Sequence, residues 1–391
     1  MSRAMAKTRR ILVTGVARWW GALTVQRLQE DPRVAEVVGI DTEEPRYDLG
    51  RADFLDLDIR HSLIGKLVRA VGIDTVVHTS TTIDSFDLNR QRAHETNVIG
   101  TLNLLAGCAG ADSPVNRVVL KSSGHVYGCR YNLPAFVKED RRLDVSSRHA
   151  FVRDIIEVEA MLADFTVRNP DIAPVVLRFS NALNAEEPQP LARYLDLPLV
   201  PTVLGYDPLM QLIHRDDCVR ALLTAALDAP AGTYNISTPD PAPLSRILAA
   251  AGKPYAPLLP PAGLGLTALS LRALGLAFLS PQLLDLLRWG RSLSVERASS
   301  VMGFKTERGT FEAFDDFVEQ RRVLPYLPDL HTYLYERELE EFIRSRQALV
   351  SLPSENSEGD LSPSPTVPGD RGGSSATPPR PRRRRSPRPG R

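Results

Sequence analysis

From residue 9 to about 180, short apolar runs alternate with amphipathic stretches. The runs cover 10–14, 36–40, 75–78, 117–121 and 174–178. Each is rich in Val, Ile and Leu at consecutive positions, as strands covered on both faces must be. Between them, 21–30, 62–71 and 95–107 repeat apolar residues at helical spacing. Strand and helix in alternation over this length predict an α/β fold with a doubly wound parallel sheet. After 181 the pattern changes. Pro188, Pro190, Pro198 and Pro201 interrupt it, and 232–237 reads as a late strand returning to the sheet. Residues 241–325 are mostly helical and Leu-rich, which predicts a smaller lobe closing over a ligand.

Two later stretches carry separate expectations. Residues 264–279 are apolar, yet Arg272 sits among them with Gly, Thr and Ser. A span needs about 20 predominantly apolar residues. A buried or lid helix is therefore favoured over a membrane-contacting one. A terminal helix is expected over 331–350. The tail from 351 is rich in Ser, Pro and Gly and lacks the apolar content to pack, so it reads as disordered. Seven Arg fall within 380–391. No aromatic interleaves them, which argues against nucleic acid. A solvated tail is the first reading and peripheral membrane contact through anionic lipid the second.

Composition changes this picture little. The chain has 391 residues, 43% of them hydrophobic, and a net charge of +1. That suits a large two-part globular unit and leaves the partner class open. Cys108, Cys129 and Cys218 are scattered, so reduced thiols and no metal site are expected. Residues 1–10 lack an apolar leader core, and the expectation is a cytoplasmic protein.

The first strand-to-helix turn carries the strongest chemistry. Val13-Thr-Gly-Val-Ala-Arg-Trp-Trp-Gly21 has Gly15 and Gly21 at the outer places of a Gly-x-x-Gly-x-x-Gly phosphate turn, with Arg18 at the middle one. Backbone N–H groups and the helix dipole meet a pyrophosphate in such a turn. Arg18 would obstruct the phosphates or donate to them. Asp41 follows Gly21 by twenty residues. A carboxylate there accepts both ribose hydroxyls and repels a 2′-phosphate, which favours NAD over NADP.

These residues resemble the NAD-dependent epimerase/dehydratase family of extended short-chain dehydrogenases. The resemblance covers about 9–325. Thr75-Val-Val-His78, Asn97-Val-Ile-Gly-Thr101, Lys121-Ser-Ser-Gly-His-Val-Tyr-Gly128, Leu177-Arg-Phe-Ser-Asn181, Ile213-His-Arg-Asp-Asp217 and Val301-Met-Gly-Phe304 match the family's segments in order. It implies a Rossmann-type NAD-binding domain over 9–180 with a return segment at 205–240. A substrate-binding lobe would comprise 181–204 and 241–330. It further implies cofactor contacts from Asp58 and Ile59 near adenine and from Thr79 and Asn97. Ser123 would hydrogen-bond the reacting hydroxyl, and Asn181 would touch a nucleotide-sugar. His125 falls where related dehydratases carry an acidic residue. A homodimer through helices near 95–108 and 150–165 is implied in the same way.

One part of the pattern is absent. The family places Tyr-x-x-x-Lys on one helix face, the Lys lowering the Tyr pKa. Glu159 sets the register here and puts Phe151 and Ile155 at the Tyr and Lys positions. None of the ten Tyr is followed by Lys four residues later. The chain thus resembles an actinobacterial-like subgroup of the family that lacks the pair. Losing a positioned acid/base removes ~10²–10⁴ in rate. His125 is the candidate replacement base; a structural His is its bland alternative. His78 and His214 read as core. Three functions remain open: a nonstandard epimerase or dehydratase acting on a nucleotide-sugar or similar hydroxylated substrate, a noncatalytic NAD-binding regulator or scaffold, and a membrane-surface assembly protein.

Overall fold

The structure is a computed structural model and describes residues 8–82, 90–147, 149–187, 189–259 and 280–324. These belong to one compact unit, Met1–Tyr335. The apolar stretch at 264–279, the helix expected over 331–350 and the Arg-rich tail lie outside the described residues.

The chain runs β1 (Arg9–Thr14), α1 (Trp19–Leu28), β2 (Val34–Asp41), β3 (Asp53–Asp56), α2 (Ile64–Val71), β4 (Thr75–His78) and α3 (Arg90–His94). A π-helical turn, Glu95–Gly100, joins α3 to α4 (Thr101–Cys108), followed by β5 (Arg117–Ser123), α5 (Ala150–Arg168) and β6 (Ala173–Phe179). Next come β7 (Asn181–Leu183), α6 (Pro190–Leu195), β8 (Val200–Val203), β9 (Leu209–Met210), β10 (Leu212–His214), α7 (Arg215–Leu227) and β11 (Gly232–Ile236). The described remainder is β12 (Ala242–Pro243), α8 (Leu244–Ala250), β13 (Tyr255–Leu259), α9 (Pro281–Trp289), α10 (Glu296–Ser300) and α11 (Thr310–Val323).

Seven strands form one sheet in the order β11-β6-β5-β4-β1-β2-β3, every neighbouring pair parallel. The period of two in a strand explains why the runs had to be apolar throughout. Ile11 and Val13 pack with Trp19, Val25 and Leu222 of α1 and α7, whereas Leu12 packs with Ile64, Leu104 and Val158 of α2, α4 and α5. The five predicted strands are present, and 232–236 pairs with β6 as the expected late strand. The seventh, β3, has no apolar run because it is the exposed edge beside β2.

Beyond β6 a separate apolar core gathers Leu183, Tyr194, Val200, Ile247, Leu284 and Phe314. Among the described residues no helix is long and apolar enough to cross a membrane.

Candidate functional site

The carboxyl ends of β1, β2, β4 and β5 open onto a cleft of about 450 Å³, lined by Gly15, Arg18, Asp41, Thr79 and Lys121 among others. Gly15 has φ +82, and a Cβ there would meet the Ser80 backbone at 2.7 Å. Only glycine permits both that backbone angle and that approach. A Cβ on Gly21 would strike the Gly15 carbonyl oxygen. The turn therefore keeps the tight geometry of a phosphate cradle although its middle glycine is Arg18. Arg18 stands in extended conformation just before α1, its side chain 55% exposed and 3.9 Å from Glu187.

Asp41 is tied into the same turn. Its Oδ2 accepts from the Ala17 amide at 2.9 Å and its Oδ1 from the Thr42 amide at 2.7 Å. Each oxygen keeps acceptor capacity for a ribose hydroxyl. Burial raises its pKa, opposed by those amide hydrogen bonds.

Of the sequence-derived cofactor residues, Gly15, Arg18, Asp41 and Thr79 line the cleft. Gly21 lies beneath the turn, and the Thr79 hydroxyl donates to the Thr14 carbonyl at 2.6 Å. Asp58, Ile59 and Asn97 stand outside the lining. Asp58 is held by Arg60 at 2.6 Å, and Ile59 packs in the core around α2 and α4. Asn97 accepts from the Thr82 amide at 2.8 Å and donates to its carbonyl at 3.1 Å, fixing the loop after β4.

The structure adds two groups that sequence reasoning missed. Lys121 is 4% exposed in β5, and its Nζ donates to the Thr81 carbonyl at 2.8 Å and lies 5.0 Å from the Trp20 ring centre. A lysine inside a strand apolar on both faces was the available signal. Glu187, from the loop after β7, accepts the Trp19 amide hydrogen at 3.1 Å at the start of α1. Burial raises its pKa, with Arg18 and the Trp19 amide opposing. No spacing rule connects 187 to 19.

At the end of β5, Ser123 Oγ and His125 Nδ1 are 2.7 Å apart. Both line a cavity of about 50 Å³ together with Asn181, Phe179 and Trp20. Trp20, Gln189 and Pro190 also line the cleft, so the two spaces adjoin. Asn181 donates to the Gln211 carbonyl at 3.0 Å. His125 further lines a cavity of about 480 Å³ on the side of α9, with His149, Arg288 and Arg291. Burial pushes the His125 imidazole well below its usual range, and the nearby Arg291 and His149 add to the effect. It is neutral at physiological pH.

Phe151 and Ile155 share one face of α5 and are 8% and 1% exposed in a cluster with Val126, Val137 and Leu293. The Phe151 ring lies edge-on to His125, 6.2 Å between centres. Glu159, one turn on, pairs with buried Arg178 at 2.6 Å. The register read from the sequence is thus the register of the helix. His78 is buried between the Thr14 and Thr101 hydroxyls, 2.8 and 2.9 Å away, and burial takes its pKa down to about 3. His214 caps α7 by accepting the Asp216 amide.

The chain is 34% identical over 324 residues to an uncharacterized protein of Mycobacterium tuberculosis, covering 81% of this chain and 85% of that one. Among solved structures, the UDP-glucose 4-epimerase of Thermotoga maritima crystallised with UDP-glucose matches at 20% identity with a TM-score of 0.63, covering 80% of this chain and 98% of that one. The UDP-glucose-4-epimerase of Stenotrophomonas maltophila, with bound NAD and formylated UDP-arabinopyranose, matches at 19% identity with a TM-score of 0.64, covering 81% and 99%. Residues 11–237 match the NAD dependent epimerase/dehydratase family, whose cofactor is NAD. A turn that tolerates only glycine at 15, an acceptor at 41 and a parallel sheet opening onto one cleft fit that cofactor, and the chain belongs to this NAD dependent epimerase/dehydratase family.

Proposed function

We propose that the chain is an NAD-dependent enzyme that acts on a hydroxyl of a nucleotide-sugar through Ser123 and His125. The observation that carries this reading is the 2.7 Å Ser123–His125 contact, in a cavity that shares Trp20, Gln189 and Pro190 with the dinucleotide cleft. Asp41, the turn at Gly15–Gly21 and Lys121 would hold NAD. When bound, NAD supplies a reversible hydride acceptor. Ser123 donates to His125 Nδ1 and keeps lone pairs for the hydroxyl of the sugar. A proton leaving that hydroxyl passes through Ser123 to the imidazole. His125 stays unprotonated over the neutral range, which keeps it ready to accept. A base this weak moves protons slowly, so turnover falls well below that of a Tyr/Lys site. Lys121 supplies a buried cation in place of the one Ile155 lacks. Asn181 orients the sugar from the opposite wall. The described residues of α6 and α9 supply the remaining walls.

The test is to load purified protein with NAD and follow NADH absorbance while UDP-sugars are added. A transient signal that disappears in Ser123→Ala supports chemistry. Firm NAD binding without turnover of any sugar favours a second reading, a noncatalytic NAD-binding regulator or scaffold. Its support is the burial of Phe151 and Ile155 in an apolar cluster. Either reading accommodates a homodimer through the π-helical turn, α4 and α5, where Ile99 of the turn and Leu102 of α4 are 42% and 49% exposed; sedimentation of Leu102→Arg as a monomer would support it, and an unchanged sedimentation coefficient would count against it.

A further inference from the structure

The cavity on the side of α9 holds more positive charge than its own carboxylates match. Two acids line it: Asp144 pairs with Arg130 at 2.7 Å, and Asp285 lies 3.2 Å from His149 Nε2. Two guanidiniums remain. Arg291 is 5% exposed; its Nη1 reaches the Gly128 carbonyl at 3.5 Å and Cys129 Sγ at 3.4 Å, and its buried Nη2 has no partner. Arg288 lies over the Trp289 and Tyr206 rings at 4.5 and 5.1 Å, donates to the Tyr206 hydroxyl at 3.2 Å, and leaves its buried Nε unmet. Among the described residues neither guanidinium forms an ion pair with a carboxylate.

A buried guanidinium with unmet donors is costly, and folded chains seldom keep one without a use. Its planar fork matches an oxyanion. The position narrows which oxyanion. Arg291 and His125 line the same cavity, and His125 also lines the space that holds Ser123. The anion therefore sits close to the reacting hydroxyl. In a nucleotide-sugar the diphosphate hangs from the anomeric carbon, across the ring from a 4-hydroxyl. A carboxylate on ring carbon 5 is that hydroxyl's immediate neighbour.

We propose that Arg291, backed by Arg288, receives the ring carboxylate of a nucleoside-diphosphate uronic acid. This deepens the nucleotide-sugar reading above and rests on it. The site selects acidic over neutral sugars by leaving Arg291 unpaired when the carboxylate is missing.

Titration calorimetry of the full chain with UDP-glucuronate, UDP-glucose and UDP, each with NAD present, tests the proposal. UDP-glucuronate should bind at least ~10-fold more tightly than UDP-glucose. Arg291→Met should erase that ratio while leaving UDP and NAD affinities unchanged, and Arg291→Lys should restore part of it. Equal affinities for the two sugars in the unaltered protein overturn the proposal alone. So does an Arg291→Met variant that loses UDP as strongly as UDP-glucuronate, since the guanidinium would then serve the diphosphate. Failure of all three nucleotides to bind sinks the nucleotide-sugar reading together with this one. If Arg291→Met does not fold, the Arg291→Lys ratio decides: a ratio as large as that of the unaltered chain rejects the bidentate contact.

Discussion

The Trp19 amide donates to the Glu187 carboxylate at 3.1 Å, on the first turn of the helix that should face a pyrophosphate. A carboxylate there draws on the same unpaired N–H groups and helix dipole that a phosphate would use. Bound dinucleotide must displace it. Glu187→Gln should therefore tighten NAD binding by about 3–10-fold, a shift on the order of 1 kcal/mol. The sign with pH follows from burial, which raises the Glu187 pKa. The carboxyl takes its proton at a higher pH than an ordinary carboxylate does, so lowering pH removes repulsion and strengthens binding. Protonating Asp41 acts on binding in the opposite sense, because it removes an acceptor for the ribose, and subtracting the Gln variant's profile isolates Glu187. Identical affinities and pH slopes for the two proteins would show that Glu187 does not compete.

Asp41 closes the other side of the turn through the Ala17 amide. Removing its charge loses two ribose contacts and the repulsion of a 2′-phosphate together. Asp41→Ala should weaken NAD and narrow its advantage over NADP by ~10-fold or more, measured by equilibrium dialysis with both cofactors. An unaltered NAD/NADP ratio means the carboxylate faces away from the ribose.

Lys121 holds its ammonium against the Thr81 carbonyl and the Trp20 ring, on the same β5 face as Ser123. Lys121→Met keeps the length and removes the charge. NAD affinity should fall ~10-fold, in line with one charge-assisted hydrogen bond. UDP-sugar affinity should stay level. A variant that binds NAD normally would assign Lys121 to packing alone.

Much of this arrangement was legible in the sequence because its physics is local. Double-sided burial forces apolar runs at β1, β2, β4, β5 and β6, and a tight turn forces Gly15. The register of α5 followed from Glu159, four residues beyond Ile155. Other features depend on distant pairs. Glu187 reaches Trp19 across the chain, and Arg291 faces His125 from a different part of the fold. The family resemblance implies a cofactor contact for Asn97, and its amide also braces the backbone of Thr82. The matching segment was in place, but side-chain direction in a π-helical turn has no periodic signature. The family resemblance places Asp58 near adenine, and its pairing with Arg60 is a side-chain contact that the resemblance does not give.

Glu159 entered as a register mark and proves to be half of a buried ion pair with Arg178. Burial opposes the Arg178 charge, and the Glu159 carboxylate outweighs it, holding the guanidinium pKa above its ordinary value. The Ser122 hydroxyl also donates to Glu159, and Arg178 Nη1 donates to the Tyr127 hydroxyl at 2.7 Å. Breaking such a pair from one side leaves an unmatched charge in the core. Arg178→Met should cost about 3–5 kcal/mol in urea unfolding. A loss under 1 kcal/mol would mean that water reaches the vacated space.

Restoring the family's catalytic pair is not simply additive in this fold. Phe151 is 8% exposed with its ring against His125, so a phenol oxygen at its tip meets a polar edge. Phe151→Tyr should fold with a change in stability under ~1 kcal/mol. It should raise any weak epimerase rate, because the phenol brings a titrating group beside His125. Ile155 is 1% exposed among Val126, Val137 and Leu293. An ammonium there has no acceptor in the cluster, and Ile155→Lys alone should lose about 3–5 kcal/mol of stability. In the double variant the new phenol lies one turn away and can take up part of that charge, so its stability loss should be smaller than that of Ile155→Lys. Thermal melts of all three variants, beside epimerase assays, test the coupling. Strictly additive stability losses would show that the two positions do not face each other, and a double variant no faster than Phe151→Tyr would leave the cation role with Lys121.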